Sequence, residues 1–315
     1  MMRHLLRAQS ARQLGTFAGL LVLCLILWAA TPHFLTVSNL LNVLEQTAIN
    51  AIVAVGMTYV IVSGGIDLSV GSVLAVAGIA LAMALEAGAP IAVAIGLAFA
   101  VGLACGLVNG VLIAFGRLPP FIATLGMMSV ARGAALMLAE GRPISGFSDG
   151  FRMLATERVM MIPAPAIITA LIYVAAHFVL TRTVFGRAAY AIGGNEEAAR
   201  LSGVAVRFHK TAIYGAAGVM SAAAAVILTA RLNSAQPTAG TMYELDAIAA
   251  TVIGGTSLMG GEGTLVGALI GALIMGVLRN GLNLLNVSSF FQQVVIGVVI
   301  IGAVLVDMAL KRHRR

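Results

Sequence analysis

Ten long apolar segments follow one another along the chain, and this pattern constrains the fold more than any other feature of the sequence. Hydrocarbon offers no hydrogen-bond partner to a peptide group, so a segment that crosses a bilayer is either a helix of about 20 residues or a strand of a closed barrel. Barrel strands alternate apolar and polar residues, which these segments do not. The pattern predicts an all-α integral membrane protein with about ten transmembrane helices, at residues 16–31, 47–63, 68–85, 91–115, 121–139, 164–180, 211–230, 245–258, 264–285 and 290–310.

Composition excludes a soluble domain. Hydrophobic residues make up 60% of the 315 positions and charged residues 10%, whereas soluble proteins have about 45–50% apolar and about 25% charged residues. The 36 glycines suit helices that approach one another closely in lipid. Gly102, Gly106 and Gly110 are spaced four residues apart, as are Gly267 and Gly271, so both sets predict close helix packing.

The distribution of lysine and arginine predicts the orientation, because cytoplasmic loops carry the excess of these residues. In the ten-span arrangement thirteen of them lie on the side of the two termini and four on the other side, so both termini are expected in the cytoplasm. The same asymmetry explains the net charge of +7, and no nucleic-acid partner is needed to account for it. The larger group is Arg3, Arg7, Arg12, Arg117, Arg182, Arg187, Arg200, Arg207, Lys210, Lys311, Arg312, Arg314 and Arg315, and the smaller group is Arg142, Arg152, Arg158 and Arg231.

The first apolar segment has two interpretations, a transmembrane helix or a cleaved signal peptide. Trp28 occupies the third position before the best cleavage point, where a signal peptidase site needs a small residue. A retained first helix is therefore favoured.

A weak internal repeat relates two glycine-rich interruptions. Residues 62–71 (VSGGIDLSVG) align without gaps onto residues 252–261 (VIGGTSLMGG) with five identities. Transporters break their helices at matching places in two halves, so the repeat predicts two broken hairpins with Gly64, Gly65, Gly254 and Gly255 as candidate pathway or gate residues. Plain interhelical turns, in which glycine supplies backbone freedom, explain the same pattern, and the sequence leaves both interpretations open.

Three ionisable residues lie within or beside predicted spans, where they are rare and often functional. Asp67, followed closely by Ser69, caps the next helix or forms an ion or proton site. Arg132 and Arg279 line a polar pathway, pair with an acid such as Asp67 or Asp246, or extend toward the membrane surface. The sequence does not choose among these alternatives, so Asp67, Ser69, Arg132 and Arg279 all remain candidate pathway residues.

The longest predicted cytoplasmic segment, residues 182–210, contains one short helix with signals at both ends. Asn195 is a favourable N-cap, Glu196 and Glu197 place negative charge in the first turn, Arg200 lies near the last turn, and Gly203 ends the helix. Two turns are too few for an isolated helix in water, so either the protein's own surface or a partner must hold it. The candidate residues are Gly193, Gly194, Asn195, Glu196, Glu197, Ala198, Ala199, Arg200, Ser202 and Gly203.

The sequence contains no recognisable catalytic motif. A nucleotide-binding P-loop needs Gly-Lys-Ser/Thr, and neither lysine is in that context. The five histidines are scattered, and Cys24 and Cys105 lack metal-type spacing, so we expect no metal, no cofactor and no enzymatic activity in this chain.

Three stretches carry a resemblance to a known family. They are residues 50–72 with GGIDLSVGS, residues 191–204 with GGNEEAARLSGV, and residues 231–263 with SAQPTAGT and ELDAIAA. With these stretches the chain closely resembles the membrane permease subunit of bacterial ribose-type ABC importers, over roughly residues 16–310. The loop at residues 140–163 departs from the family by being shorter and more basic, which leaves the fit to any particular binding protein open.

The resemblance implies a homodimer in the bacterial cytoplasmic (inner) membrane, with residues 1–315 as a single transmembrane permease domain and residues 182–210 as its cytoplasmic coupling loop. It implies a cytoplasmic ABC-type ATPase subunit that uses ATP and Mg, and an extracytoplasmic sugar-binding protein. Residues 195–202 match the position of the coupling helix that docks into the ATPase. The implied substrate is a sugar, with ribose as the leading candidate, and it would cross the membrane by alternating access. An ion-coupled secondary sugar transporter and a membrane scaffold without a pathway are the alternatives from other classes.

Overall fold

The computed structural model describes residues 2–312, with the side chains of residues 13–302, 304 and 305. Arg314 and Arg315, which entered the orientation argument, lie outside the described residues. The side chains of the other terminal cations, Arg3, Arg7, Arg12, Lys311 and Arg312, also lie outside them.

Helices form most of the described chain. They are α1 (Met2–Ala30), α2 (Val37–Val62), α3 (Val70–Glu86), α4 (Ile91–Ala114), α5 (Pro120–Leu138), α6 (Asp149–Thr156), α7 (Ala164–Arg182), α8 (Val184–Gly194), α9 (Glu196–Leu201), α10 (Val206–Leu232), α11 (Tyr243–Ile253), α12 (Leu265–Leu284) and α13 (Ser289–Arg312). Two-residue strands make two antiparallel pairs, β1 (Ile144–Ser145) with β4 (Ser234–Ala235), and β2 (Arg158–Val159) with β3 (Ile162–Pro163).

Each of the ten predicted apolar segments coincides with a helix, namely α1 to α5, α7 and α10 to α13. Among the described residues, seven helices are long and apolar enough to cross a bilayer, and α3 and the first part of α13 are shorter apolar helices. The predicted membrane-spanning, mainly helical architecture is therefore confirmed in this coarser form.

Helix α11 corrects one predicted boundary. The segment was expected to continue to residue 258, but the helix ends at Ile253 because Gly254 packs its backbone against Gly267 of α12 and Gly255 adopts a φ of +91°. With 11 residues, α11 is about 16 Å long, roughly half of a 30 Å hydrocarbon layer. It is a half-length helix rather than a full span.

The three glycines of α4 form the contact with α10 that their spacing predicted. If Gly102 carried a Cβ atom, that atom would lie 2.4 Å from the carbonyl oxygen of Gly218. The corresponding distances are 2.3 Å from Gly106 to the carbonyl oxygen of Tyr214 and 2.5 Å from Gly110 to the Cα of Thr211. Two helix backbones thus touch along three turns, where dispersion attraction between closely packed atoms replaces the hydrophobic effect that lipid removes.

We expect Gly106→Ala to lower the free energy of unfolding by about 1–3 kcal/mol, because its methyl group forces α4 and α10 apart. Gly96, in the same helix, has no atom within 4 Å of the place that an added methyl group would occupy, so Gly96→Ala is the matched control and should be neutral or slightly stabilising. Denaturant unfolding in detergent measures both variants. Equal effects of the two substitutions would contradict the assigned contact.

Residues 236–242, called here the re-entrant segment, turn back from the end of α10 toward its middle. A Cβ at Gly78 of α3 would lie 3.2 Å from Thr229 Oγ1, near the end of α10. Gly71 lies two turns earlier in α3, about 10 Å away along the helix, and its Cβ would lie 2.1 Å from the Gly240 carbonyl oxygen. The first turns of α3 and α11 therefore meet inside the helical bundle rather than at its surface.

Candidate functional site

The short helix α9 has the ends that the sequence predicted. Asn195 Oδ1 accepts a hydrogen bond from the Ala198 backbone N–H at 2.9 Å, which makes Asn195 the N-cap. At the other end the Gly203 N–H donates to the Arg200 carbonyl, the Val204 N–H donates to the Ala199 carbonyl, and Gly203 has a φ of +85°. These are the two hydrogen bonds of a Schellman motif, so both ends of α9 are determined by local sequence.

One face of α9 packs on the protein's own surface. Ala199 is buried against Ile192 of α8 and Val206 of α10, and Glu196 pairs with Lys210 of α10. The opposite face is exposed, and Leu201 there has 80% of its surface accessible. Intramolecular packing thus supports the helix, while an exposed leucine on a polar surface leaves room for a second contact.

Both glycine-rich interruptions and the end of α8 meet just before α9, in a cluster named here the glycine junction. The Val62 carbonyl, at the end of α2, accepts a hydrogen bond from the Gly261 N–H at 2.9 Å. A Cβ at Gly193 would lie 1.8 Å from that same carbonyl oxygen, and one at Gly260 would lie 2.7 Å from the Gly193 carbonyl oxygen and 3.0 Å from the Gly64 Cα. The junction consists of Gly64, Gly193, Gly194, Gly260 and Gly261.

Sequence reasoning named Gly64, Gly193 and Gly194 separately but did not name Gly260 or Gly261 as site residues. Both of the missed glycines lie in the second copy of the repeat, so the alignment contained them. Tyr190 was missed as well, and its hydroxyl donates to the Gly263 carbonyl at 2.7 Å. This bond ties α8 to the second interruption beside the junction, and no sequence signal indicated it.

Two other predicted gate glycines, Gly65 and Gly254, make their close contacts outside the junction. A Cβ at Gly65 would lie 2.2 Å from the Tyr214 hydroxyl oxygen of α10, and one at Gly254 would lie 2.3 Å from the Gly267 carbonyl of α12. Each therefore allows close packing of its own hairpin against a neighbouring helix.

Asp67 does not cap α3 directly but forms a hydrogen-bonded turn with Ser69, the N-cap residue of that helix. Its Oδ1 accepts from the Ser69 N–H at 2.8 Å and from the Ser69 hydroxyl at 2.6 Å, and the side chain is 2% exposed. Ser69 Oγ in turn accepts from Asn109 Nδ2 of α4 at 2.9 Å. These hydrogen bonds fix the start of α3 to α4, with Asp67 two residues before the N-cap, Ser69.

Arg132 fixes the re-entrant segment. Its Nη1 donates to the Pro237 and Ala239 carbonyl oxygens at 2.7 and 2.8 Å. Those carbonyls lie in a non-helical segment inside the bundle, where peptide groups need partners from side chains. Arg132 therefore pairs with neither Asp67 nor Asp246, the acids that the sequence offered, and binds backbone carbonyl groups instead.

Arg279 pairs with Asp246, one of the two acids that the sequence left open. Its Nη2 donates to the two carboxylate oxygens at 2.8 and 2.6 Å, and Asn50 Nδ2 of α2 lies 3.4 Å from Asp246 Oδ2. Asp246 is 1% exposed and the Arg279 side chain 32% exposed. Asn50 Oδ1 and Arg279 Nε are buried without a hydrogen-bond partner in the part of the chain that the structure describes. A polar cluster thus joins α2, α11 and α12, with hydrogen-bonding capacity left over.

Within the described residues no group of three or more His, Cys, Asp or Glu side chains is arranged to hold a metal ion. The glycine junction joins the solvent-facing helix α9 to two interrupted hairpins, and a separate buried ion pair joins α11 to α12. Such an arrangement suits movement of helices.

Most of the chain is similar to known permease proteins. The family model described as branched-chain amino acid transport system / permease component matches residues 39–304. The ribose import permease protein of Bacillus subtilis strain 168 is 52% identical over 298 residues, 94% of this chain and 92% of that protein.

Two proteins of Escherichia coli K12 are also similar. Its ribose import permease protein is 49% identical over 295 residues, 92% of this chain and 91% of that protein. Its xylose transport system permease protein is 35% identical over 348 aligned positions, 91% of this chain and 88% of that protein. No solved structure matches the chain.

Proposed function

The chain belongs to the family described as branched-chain amino acid transport system / permease component, and we propose that it is the membrane permease subunit of an ATP-driven ribose importer. The observation that carries this proposal is the 52% identity, over 94% of the chain, to a protein named as a ribose import permease. The family description mentions amino acids, but the similar proteins described above are named for the monosaccharides ribose and xylose. Whole-length similarity to these is the more specific guide to the substrate.

In this proposal residues 1–315 form one transmembrane permease domain in the bacterial inner membrane, with ten membrane-inserted helices and both termini in the cytoplasm. The half-length helix α11 and the re-entrant segment together make one of these ten passages, as in transporters with discontinuous helices. Two copies of the chain would enclose the pathway. An extracytoplasmic binding protein would deliver the sugar to the side that carries the two strand pairs.

The proposed partner on the other side is a separate ABC-type ATPase, which uses ATP and Mg, while this chain binds neither and has no catalytic role. Residues 182–210 serve as the coupling loop, and α9 is the helix that docks into the ATPase. Its N-cap, its Schellman motif and the exposed Leu201 support this role. A preformed helix loses less conformational entropy on docking than a flexible loop does.

The glycine junction connects the docking helix α9 directly to both interrupted hairpins, the proposed moving parts of the pathway. Gly193 and Gly194 are the last residues of α8 and precede the N-cap of α9. They touch both interrupted hairpins at backbone distance, so a displacement of α9 acts on both interruptions at once. Interfaces between closely packed backbones tend to switch between discrete arrangements and do not deform continuously. Alternating access requires such discrete arrangements.

An ion-coupled secondary sugar transporter is the second candidate, with Asp67 or Asp246 as the coupling site. Two contacts argue against it. Asp67 already accepts two hydrogen bonds from Ser69, and Asp246 is neutralised by Arg279. Ribose uptake that persists without ATP and stops when an ionophore removes the ion gradient would favour this candidate.

The importer is tested by ribose uptake into proteoliposomes that contain this chain, its ATPase and its binding protein. We expect uptake only with ATP, and we expect Glu197→Arg and Leu201→Glu to reduce both uptake and co-purification of the ATPase. Leu201 is 80% exposed, so its replacement should change stability by less than about 0.5 kcal/mol.

A matched control lies before the N-terminal end of α7, whereas α8 and α9 follow the C-terminal end of that helix. Met160 is 92% exposed between β2 and β3, so Met160→Glu makes a similar change and should leave ATPase co-purification unchanged. If Glu197→Arg and Leu201→Glu both retain the ATPase and full uptake, α9 is not the docking helix.

A further inference from the structure

A groove of about 860 Å³ lies between the turn that joins α4 to α5 and the start of α10, and we call it the basic groove. Four cationic residues and one acidic residue line it. They are Arg117, Arg200, Arg207 and Lys210, with Glu196. Arg117 and Arg207 belong neither to α9 nor to the glycine junction, so the proposed function assigns them no role.

Ion pairs neutralise two of the four cations. Lys210 pairs with Glu196, and Arg200 pairs with Glu197. Among the described side chains neither Arg117 nor Arg207 forms an ion pair. The Arg207 guanidinium lies over the Phe115 ring, with Cζ 5.5 Å from the ring centroid. This stacking holds the guanidinium in place without neutralising its charge.

The rim of the basic groove is apolar. Phe115 and Phe208, which line the groove, are 55% and 67% exposed. Phe121, which follows the lining residue Pro120, and Leu112, on the preceding turn of α4, are 50% and 39% exposed. Only 22% of the apolar window of α4, and of α5, is buried inside the protein, so these two helices have long apolar faces that the chain itself does not cover. Two guanidinium groups thus lie where an apolar helical surface ends, which is the arrangement of charges around a lipid headgroup.

We propose that the basic groove binds the headgroup of an anionic phospholipid. Arg117 and Arg207 contact its phosphate, and the acyl chains lie along Leu112 and Phe115. Guanidinium groups suit this role because their fixed donor geometry matches phosphate oxygens. The inference uses the proposed orientation, which puts the α4–α5 turn on the cytoplasmic side, where positively charged residues attract anionic lipid. It does not depend on the sugar or on the ATPase.

The test uses the full-length permease, purified without partners and exposed to equimolar phosphatidylglycerol and phosphatidylcholine in mixed micelles. Native mass spectrometry counts each lipid on the protein. We expect phosphatidylglycerol to be retained in excess by the wild type. Arg117→Gln/Arg207→Gln should lower that excess by about thirtyfold, since each of the two cations contributes on the order of 1 kcal/mol near a membrane surface and about 1.4 kcal/mol is a factor of ten.

Arg187→Gln is the matched control. Arg187 is exposed on the same side but lines a different groove, with Val184 and His209, so its loss should leave the lipid preference intact. Equal retention of the two lipids by the wild type overturns the proposal, as does an unchanged preference in the double variant. Displacement of phosphatidylglycerol by millimolar inorganic phosphate would show a free-phosphate site instead, and displacement by the ATPase subunit would show a protein-docking site.

Discussion

Asp246→Ala is expected to lower the free energy of unfolding by about 3 kcal/mol, because it leaves the guanidinium of Arg279 without its partner inside the bundle. Removing one member of a buried pair costs about 3–5 kcal/mol. We expect the lower end of that range because the Arg279 side chain keeps 32% of its surface accessible to solvent. Unfolding in detergent, followed by the denaturant midpoint, measures the effect.

An exposed ion pair supplies the control. Asp149 has a side chain that is 93% exposed and pairs with Arg152, so Asp149→Ala should change stability by no more than about 1 kcal/mol. The double variant Asp246→Leu/Arg279→Met removes both buried charges and should recover part of the lost stability. If Asp246→Ala is no more harmful than Asp149→Ala, the buried pair does not stabilise the fold.

The sequence predicted best what short-range rules decide. The ten apolar segments coincide with helices, because a long apolar run can satisfy its backbone polar groups in hydrocarbon by forming a helix. The ends of α9 were predicted because Asn195 and Gly203 act within a few residues of themselves. The three glycines of α4 indicated a close contact, although their partner helix, α10, was not predictable from spacing.

Features that depend on distant parts of the chain were not predictable in this way. Arg279 was left between two acids because Asp67 and Asp246 offer the same charge, and only the packing of α11 on α12 brings Asp246 within 2.6 Å. Helix α11 was predicted too long because the apolar run continues past Gly254, while contact with Gly267 ends the helix. The glycine junction joins three segments that are far apart in sequence.

Gly193→Ala is expected to reduce ATP-driven sugar uptake by about tenfold or more. A methyl group there would lie 1.8 Å from the Val62 carbonyl oxygen, so α8 must move away from the end of α2 and the junction must open. Overpacking of this kind costs about 1–3 kcal/mol, and a change of about 1.4 kcal/mol in the coupling between two sites is a factor of ten.

Gly194→Ala separates this effect from a change in helix propensity or in docking. Gly194 is the next residue of α8, and a methyl group there has no atom within 4 Å, so uptake should stay close to that of the wild type. The informative readout is sugar transported per ATP hydrolysed, because both substitutions lie outside α9 and leave its proposed ATPase contact unchanged. Gly193→Ala should keep ATP hydrolysis and lose transport, since the docking helix then moves without moving both hairpins. Parallel loss of hydrolysis and transport would mean that Gly193 only supports the fold, and unchanged transport would mean that the junction does not carry the motion.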